Sequence, residues 1–449
     1  MQPRSLGPAA LFAFSLALTG AADAAPAQQF PRVVSTTTVR IGDFERTDTI
    51  VQVAANPIER FTYHRLVERG HGHRDARHGS DDEPRGILLL LPPLSNPFGF
   101  YEVDERGDYR RSFAAYFADR GYEVWGYSPR GTGLAAGSCE SGAVDCSVMA
   151  HWGIQSVVDD AAYIRARIRS RHPHRKPVVG GYSLGGMTTI ATINAHPHDY
   201  AGAMILEGAL YAEEPIVLAM NQGFCADLEG ALAAGVIFDG TTLPGVRTIA
   251  LLARDDPHSP TPLPGFPPGT TNHQVLVAIL SLNQPGPLWP TPDFIRCAGS
   301  VPEDRFFFSD DARVIAHSLL FNNYTDTLTV RDVSCSLGGE PTFTGNLGSF
   351  RAPVYLLGGG LAFSATRTRP SPTSSAPPRS PATTSPPSAT PTTGSAPITG
   401  RCWSRTSCAG WSRCATTTTT DVITARTTRR YRHTGTPRFF RSSGQQSAG

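Results

Sequence analysis

The feature that constrains this chain most is a glycine-rich turn, Gly-Gly-Tyr-Ser-Leu-Gly-Gly, between a short apolar segment and a helical one. It contains the pattern G-x-S-x-G at Gly181, Ser183 and Gly185. When a strand turns this sharply into a helix, the residue at the tip is strained and its neighbours two positions away must be small. The helix start also directs free N–H groups at the tip. The pattern predicts a strained, accessible Ser183 at a sheet edge; a purely structural glycine turn is the alternative.

Strand-like and helix-like segments alternate on both sides of this turn. The continuous apolar run GILLLL at Gly86–Leu91 is typical of a parallel strand that is buried on both faces. Val157, Ala161, Ile164 and Ile168 repeat at the spacing of one helical face. This alternation predicts an α/β fold with a mostly parallel sheet and flanking helices. Further strands are expected at 33–41, 61–67, 122–127, 177–181, 200–206 and 351–357.

The amino terminus has the pattern of a secretory signal peptide at residues 1–24. Arg4 supplies a positive charge, the following apolar stretch is too short to span a bilayer, and Ala22 and Ala24 fit a small-x-small cleavage site. The protein is therefore expected to be secreted or periplasmic, without stable membrane insertion. An uncleaved anchor is the alternative.

Beyond the signal, composition changes divide the chain into a core, an insertion and a tail. From residue 213 the alternation stops and the sequence becomes rich in Pro and Gly, which favours an inserted helical cap. We expect the segments to be 25–212 for the α/β core, 213–349 for the cap, 350–362 for a returning core strand and 363–449 for a low-complexity tail.

Cysteine, histidine and charge patterns restrict the possible partners. Cys139 and Cys146 bracket a short loop and are expected to pair, as export permits. Cys225, Cys297 and Cys335 are odd in number, so one pair is expected and its members stay open. The net charge of +2 gives no reason to expect a nucleic-acid partner, although the tail alone carries about +11. No metal or cofactor is expected, and the histidines of one polar loop are interpreted as exposed, namely His71, His73 and His78.

Three motifs together resemble the α/β-hydrolase superfamily over roughly residues 58–210 and 351–357. The first is GYSLG around Ser183, and the second is GILLLL followed by PPLSN, where the family usually has His-Gly. The third begins at Ser128 and reads SPRGTG, which is similar to the family's D-x-R-G-x-G loop with serine in place of aspartate. The resemblance implies an α/β-hydrolase fold with Ser183 as the nucleophile of a hydrolytic reaction.

The resemblance also implies an oxyanion hole, a pair of N–H groups that bind the negative oxygen of the reaction intermediate. The family places one donor after the third strand and the other directly after the nucleophile. Pro92 and Pro93 have no N–H, so Leu94 is the first residue of that loop able to donate. Leu94 and Leu184 are therefore the expected donors.

A serine nucleophile needs a histidine base that is oriented by a carboxylate, and the family order is serine, acid, histidine. Glu207, at the end of the strand-like AMIL segment, is the leading candidate for the acid. A Glu207 that only forms structural hydrogen bonds is the alternative. Asp255 and Asp256 are weaker candidates, at the end of TIALLARDD, a segment that imitates a strand.

The histidine should follow the last strand, downstream of Leu357. His433 is the only histidine there, in a basic segment with no strand before it, so we do not assign it as the base. His317 is interpreted as a packing residue of a cap helix, and His258 as a residue of a proline-rich loop.

The composition of the tail leads to a hypothesis about the missing histidine. The chain uses Arg almost to the exclusion of Lys, which indicates a GC-rich gene, and the Ser/Thr/Pro/Ala/Arg tail is typical of such a gene read out of frame. Read in a shifted frame, the codons of 388–402 permit a Gly-His pair followed by a helical sequence. We hypothesise a frameshift near 360–365, which predicts weak activity and low stability for the chain as written. A genuine disordered tail is the alternative.

These inferences predict a secreted serine hydrolase that cleaves esters, lipid esters among them, through an acyl-enzyme on Ser183. The expected partner is a small-molecule or lipid ester, and the oligomeric state stays open. Two alternatives remain. One is a catalytically impaired binding protein on the hydrolase fold, and the other is a peptidase or amidase that uses the same residues.

Overall fold

The structure is a computed structural model that describes residues 29–69, 83–104, 108–280, 299–300, 304–306 and 310–358. Several predictions made above lie outside the described residues, namely the signal peptide at 1–24, the loop histidines His71, His73 and His78, Cys297, and the tail at 363–449. Within the described part of the chain, no helix combines the length and the apolar character needed to cross a bilayer.

The described chain forms strands and helices in alternation, and then a mainly helical segment. The strands are β1 Arg32–Ile41, β2 Phe44–Gln52, β3 Arg60–Glu68, β4 Gly86–Leu91, β5 Tyr122–Ser128, β6 Val178–Tyr182, β7 Gly202–Leu206, β8 Phe238–Asp239, β9 Gly299–Ser300, β10 Arg305–Phe306, β11 Thr325–Asp326 and β12 Val354–Leu357. The α-helices are α1 Phe113–Ala118, α2 Ile154–Arg171, α3 Leu184–Ala195, α4 Pro215–Ala233, α5 Thr242–Asp255, α6 Asn272–Leu280, α7 Asp311–Ser318 and α8 Thr327–Leu337.

Eight of these strands form one sheet, in the order β1-β2-β3-β5-β4-β6-β7-β12. The strands β5, β4, β6, β7 and β12 pair in parallel, whereas β1, β2 and β3 join the sheet by antiparallel pairing. All five parallel strands therefore end at one edge, where ligands of open α/β sheets usually bind. The predicted mostly parallel sheet with flanking helices is confirmed.

The residues of β4 show why this sheet needs helices on both faces. Leu88 and Leu90 pack on one face in a cluster with α1, and Leu89 and Leu91 pack on the other face in a cluster with α2. All four side chains are buried. Burial of a leucine side chain contributes roughly 2–3 kcal/mol, so the continuous apolar run stabilises both layers.

Five helices and two short strand pairs lie between β7 and β12 in the described chain. The segment that imitates a strand and ends at Asp255 is the second half of α5. Ile249 and Ala253 are buried on a single face of that helix. Short apolar runs are compatible with either period, so the sequence pattern alone does not distinguish them.

Two disulfides tie loops and helices together. Cys139 and Cys146 are bonded, as their spacing predicts. Cys225 of α4 is bonded to Cys335 of α8, which answers the question that the cysteine count left open. This second bond joins cysteines that are 110 residues apart in sequence. It therefore closes a covalent loop that includes α5, α6 and α7.

Candidate active site

Ser183 lies at the tip of the turn between β6 and α3. Its backbone angles are φ 56° and ψ −120°, a region that residues other than glycine rarely adopt. Strand pairing continues up to the turn, because the Ser183 N–H donates to the Leu206 carbonyl of β7 at 2.8 Å. The helix starts directly afterwards, with the Met187 N–H donating to the Ser183 carbonyl at 3.0 Å. Such a conformation costs roughly 1–3 kcal/mol, so the surrounding structure must hold it.

The two glycines of the motif explain how the turn can be this tight. A Cβ atom at Gly185 would lie 1.9 Å from the Leu91 carbonyl oxygen, and one at Gly181 would lie 2.3 Å from the same atom. Both distances are far below van der Waals contact, and the obstacle is backbone that cannot rotate away. The steric requirement for small residues on both sides of Ser183 is therefore present in the structure.

The N–H of Leu184 is available at this turn. Leu184 is the first residue of α3, and the first N–H groups of a helix have no acceptor within the helix. The same end of the helix carries partial positive charge from the aligned peptide dipoles. An oxyanion beside Ser183 would therefore meet both a donor and a favourable field.

The loop after β4 brings Leu94 to the same sheet edge. Leu91 at the end of β4 is opposite Gly181 of β6, so this loop and the Ser183 turn are neighbours. Within the described residues, the Leu94 N–H has no hydrogen-bond acceptor. The following residue, Ser95, has a φ of 52°, which marks a sharp bend in the loop. The assignment of Leu94 and Leu184 as oxyanion donors stays a prediction.

Tyr101 joins this loop to the Ser183 turn, and the sequence analysis missed it. Its hydroxyl donates to the Leu91 carbonyl at 2.6 Å and accepts from the Tyr182 N–H at 2.9 Å. Burial raises the pKa of the Tyr101 phenol, so the proton of this bridge is retained. The sequence around it, Phe-Gly-Phe-Tyr, has no feature that separates Tyr101 from an ordinary core aromatic.

Phe100 connects the loop to the helices that follow β7. Its ring stacks on Tyr182, with centroids 5.5 Å apart, and also contacts the ring of His317 at 4.5 Å. His317 belongs to α7, so that helix packs against the loop beside the active-site turn. The packing contact expected of His317 is present.

Glu207 follows β7 directly and shares the unusual backbone of Ser183. Its φ is 54°, its side chain is buried, and its N–H donates to the Leu357 carbonyl at 2.7 Å. Tyr182 is opposite Leu206 in the sheet, so Ser183 and Glu207 are neighbours at the carboxyl edge. Strained backbone at a non-glycine residue is often found at functional sites. The role of Glu207 as the acid stays a prediction.

The alternative acids lie at the carboxyl end of helix α5. Asp255 ends α5, and the hydrogen bond and charge of Arg254 lower the pKa of its exposed carboxyl. Asp256 is exposed as well. Because the segment is helical, neither carboxylate is at the tip of a strand of the central sheet.

Three described histidines are hydrogen-bonded away from Ser183, namely His64 to Asp48 and Ser128, His172 to Glu123 and His273 to Asp304. His258 is exposed in a loop, and His433 lies outside the described residues. The described structure thus contains the serine turn and its neighbouring carboxylate, and leaves the histidine unassigned.

One group of side chains has metal-like proximity. Ligand atoms of Cys225, Cys335 and Glu340 lie within 4.8 Å of one another. The two sulfurs form the disulfide described above and are therefore not thiolates, which are the form that binds metals. This group does not make a metal centre.

The comparisons with known proteins agree with this geometry. The sequence profile of the family described as serine aminopeptidase, S33, matches residues 103–246, a range that includes Ser183 and Glu207. No curated protein matches the chain.

Several solved structures are similar to the chain. A candidate lipase from Sulfolobus solfataricus is 15% identical with a TM-score of 0.45, covering 73% of this chain and 92% of that one. A carboxylesterase of Nitrososphaera gargenis is 14% identical with a TM-score of 0.34, covering 68% and 78%. A monoacylglycerol lipase from Paleococcus ferrophilus is 16% identical with a TM-score of 0.30, covering 61% and 72%.

A strained serine between strand and helix, at the carboxyl edge of a mostly parallel sheet, defines a class of hydrolases with a nucleophile turn. The chain has this sheet and this turn, and the family profile covers the turn together with strands β5, β6 and β7. The described chain therefore has an α/β-hydrolase fold, and residues 103–246 are similar to the family of serine aminopeptidases, S33.

Proposed function

We propose that the protein is a secreted serine hydrolase that cleaves carboxylic esters, lipid esters among them, through an acyl-enzyme on Ser183. The observation that carries the proposal is the backbone of Ser183, whose φ of 56° is maintained between two glycines that tolerate no Cβ. Strain of this kind is retained where it presents a reacting group. The neighbouring N–H groups of Leu94 and Leu184 support the same chemistry.

The proposed reaction has two steps. The Ser183 Oγ attacks the ester carbonyl carbon while its proton passes to the base, and the carbonyl electron pair moves onto the oxygen. The N–H groups of Leu94 and Leu184 bind that oxyanion, and the loss of one such donor typically costs about 10²–10³ in rate. Collapse of the intermediate expels the alcohol with a proton from the base. Water then hydrolyses the acyl-enzyme by the same route.

The base is the part of the proposal that depends on the tail. We propose that a histidine oriented by Glu207 belongs after β12 and that a frameshift removed it from this chain. The side chains of Val354 and Leu356 lie on one face of β12 and are 46% and 40% accessible. Their exposure supports a further element that packs against this face of β12. Without a base, only about 10³–10⁴-fold acceleration over water is expected.

Two features outside the catalytic site support secretion, namely the disulfides and the amino-terminal segment. The two disulfides fit an oxidising compartment, and the amino terminus has the features of a signal peptide. The expected mature protein begins at Ala25. Sequencing the amino terminus of the exported protein tests this, and a retained residue 1–24 segment would contradict it.

A second candidate function is hydrolysis of peptide or amide bonds. The description of the matching family as a serine aminopeptidase favours it. Both reactions use the same nucleophile and oxyanion donors, so the geometry alone does not separate them. Amides are the harder substrates, because the amine leaving group must be protonated by the histidine.

The test compares p-nitrophenyl esters of increasing acyl length with amino-acid p-nitroanilides on the full chain. We expect slow ester hydrolysis above background, abolished in Ser183→Ala and kept in Ser170→Ala, an exposed serine of α2. Preferential hydrolysis of the anilides would favour the peptidase. A folded chain that hydrolyses neither substrate, or whose activity survives in Ser183→Ala, would contradict the proposal and favour a binding protein.

A further inference from the structure

A second serine in the molecule has the hydrogen-bond partners that a catalytic serine usually has. Asp48, His64 and Ser128 lie on the neighbouring strands β2, β3 and β5. His64 Nδ1 is 2.7 Å from Asp48 Oδ1, and His64 Nε2 is 2.8 Å from Ser128 Oγ. Ser128 is also the residue that stands where the family motif has aspartate.

The surroundings of Ser128 differ from those of a nucleophile. Its side chain is buried, with 3% of the residue accessible, and its Oγ accepts a hydrogen bond from the Phe98 N–H at 2.9 Å. The Asp48 carboxylate can only accept, so His64 Nδ1 carries the proton that it donates to Asp48. In the neutral imidazole, Nε2 then accepts the hydroxyl proton of Ser128. The Ser128 Oγ donates to His64 in this form and accepts from the Phe98 N–H.

This series of hydrogen bonds ends at the segment that follows β4, which also carries Leu94. Phe98 begins the 3-10 turn Phe98–Tyr101, and Tyr101 at its other end bridges Leu91 and Tyr182. The Phe98 ring stacks on His64 with centroids 5.0 Å apart. Asp48, His64 and Ser128 therefore hold the start of a turn whose end touches the backbone beside Ser183.

The same carboxylate also holds the far end of this turn. Arg46 donates to Asp48 at 3.0 Å and to Glu102 at 2.6 Å. Glu102 is the residue that ends the turn, and its N–H donates to the Gly99 carbonyl at 2.9 Å. Asp48 is thus connected to both ends of the turn, by His64 and Ser128 on one side and by Arg46 on the other.

We propose that Asp48, His64 and Ser128 are positioning residues. They hold the loop after β4, which carries Leu94, in a fixed position beside Ser183. The family motif has aspartate at the position of Ser128. Here the Ser128 hydroxyl accepts the hydrogen bond of the Phe98 N–H, and the negatively charged group is Asp48, which is connected to Ser128 through His64. The inference rests on the proposed function of Ser183, since a positioned loop has a catalytic effect only if that site reacts.

The test uses Ser128→Ala, with Ser128→Thr as the variant that retains a hydroxyl and Thr49→Val as the matched control. Thr49 is a buried neighbour of Asp48 on β2 whose hydroxyl contacts Thr36 instead. A fluorophosphonate titration of the full chain separates reversible binding from the maximal rate of modification at Ser183. We expect Ser128→Ala to lower the maximal rate about 10-fold or more with reversible binding nearly unchanged, and to lower the unfolding midpoint because the Phe98 N–H loses its acceptor. Ser128→Thr should recover most of the rate.

Amide hydrogen exchange of residues 94–101 provides a second reading that needs no activity. We expect faster exchange in Ser128→Ala, by about 10-fold at Phe98, and none of this in Thr49→Val. If the wild-type chain is not modified at all, the proposed function fails and exchange alone decides on the loop. Equal rates and equal exchange in Ser128→Ala and Thr49→Val would overturn the proposal. Modification on Ser128 itself would also overturn it.

Discussion

Ser183 and Ser128 lie near the carboxyl ends of two strands of one parallel sheet, and each has part of what a catalytic serine needs. Ser183 follows β6 with a left-handed φ of 56°, and no histidine base is assigned to its hydroxyl. Ser128 ends β5 in extended backbone, buried, and hydrogen-bonded to His64 and through it to Asp48. Neither serine combines both sets of features.

The difference teaches which features make a serine reactive in this fold. Hydrogen-bond partners alone do not, because the Oγ of Ser128 already accepts the Phe98 N–H and no substrate can reach it. The tight turn exposes the oxygen of Ser183 and places the start of a helix beside it. These features must be in place before the reaction, because preorganised donors stabilise the negative charge as it develops. A base, in contrast, can be supplied by another segment of the chain.

The largest effect is expected from giving Ser183 a base. Restoring the reading frame near residues 360–365 should raise the turnover of p-nitrophenyl esters by about a thousandfold or more, because a missing triad member accounts for losses of that size. Steady-state kinetics of the two forms of the chain measure it. The frame-restored chain with Ser183→Ala is the control, and it should show no gain. An unchanged rate in the restored chain would exclude the frameshift as the cause of low activity.

The next effect concerns the stability of the turn itself. Gly185→Ala places a methyl group where only 1.9 Å separates it from the Leu91 carbonyl oxygen, so we expect the free energy of unfolding to fall by about 3 kcal/mol. Gly230→Ala is the matched control, because its Cβ meets nothing within 4 Å on an exposed face of α4. That change should stabilise by about 0.5–1 kcal/mol. Urea denaturation measures both, and equal effects would mean that the turn is not as tight as described.

The smallest effect concerns the chain of residues behind Ser128 and depends on pH. Burial alone would raise the pKa of the Asp48 carboxyl, but the hydrogen bond and charge of His64 and Arg46 outweigh it, so the folded pKa lies below the ordinary 3.8. A lowered pKa gives stability that is present above about pH 4 and lost as the pH falls through the folded value. Asp48→Asn should therefore cost about 1–2 kcal/mol at pH 7, and progressively less as the pH falls below 3.8 through the folded pKa.

The control for this pH dependence is Asp159→Asn on α2. Asp159 is exposed and accepts from Gln155 on the same helix at 2.8 Å, so its replacement should change stability by less than about 0.5 kcal/mol. Thermal unfolding at several pH values measures both variants. A penalty for Asp48→Asn that stays constant from pH 7 down to the lowest pH at which the chain is folded would show that the charge of Asp48 is not what the network uses.

A structural feature could be predicted from the sequence when it depends on residues that are close together in the chain. The turn at Ser183 depends on residues within two positions of it, and the buried strand Gly86–Leu91 depends on its own apolar run, so both are readable from sequence. Asp48, His64 and Ser128 are separated by 16 and 64 positions and meet only because β2, β3 and β5 are neighbours in the sheet. No sequence pattern signals that meeting.

The same reasoning explains the questions that the sequence leaves open. Cys225 and Cys335 are 110 residues apart, so their pairing depends on how α4 and α8 pack. The apolar residues that end at Asp255 fit a strand as well as a helix, and only their packing on α6 and α7 favours the helix. Tyr101 has its bridging role because two strand ends happen to lie within reach of one hydroxyl.

The most direct test of the account asks which serine reacts. The full chain is treated with a fluorophosphonate probe, digested and analysed by mass spectrometry to locate the adduct. We predict an adduct on the peptide that contains Ser183, absent in Ser183→Ala and formed more slowly in Ser128→Ala. An adduct on Ser128, undiminished modification in Ser183→Ala, or no modification of the folded chain would contradict the account.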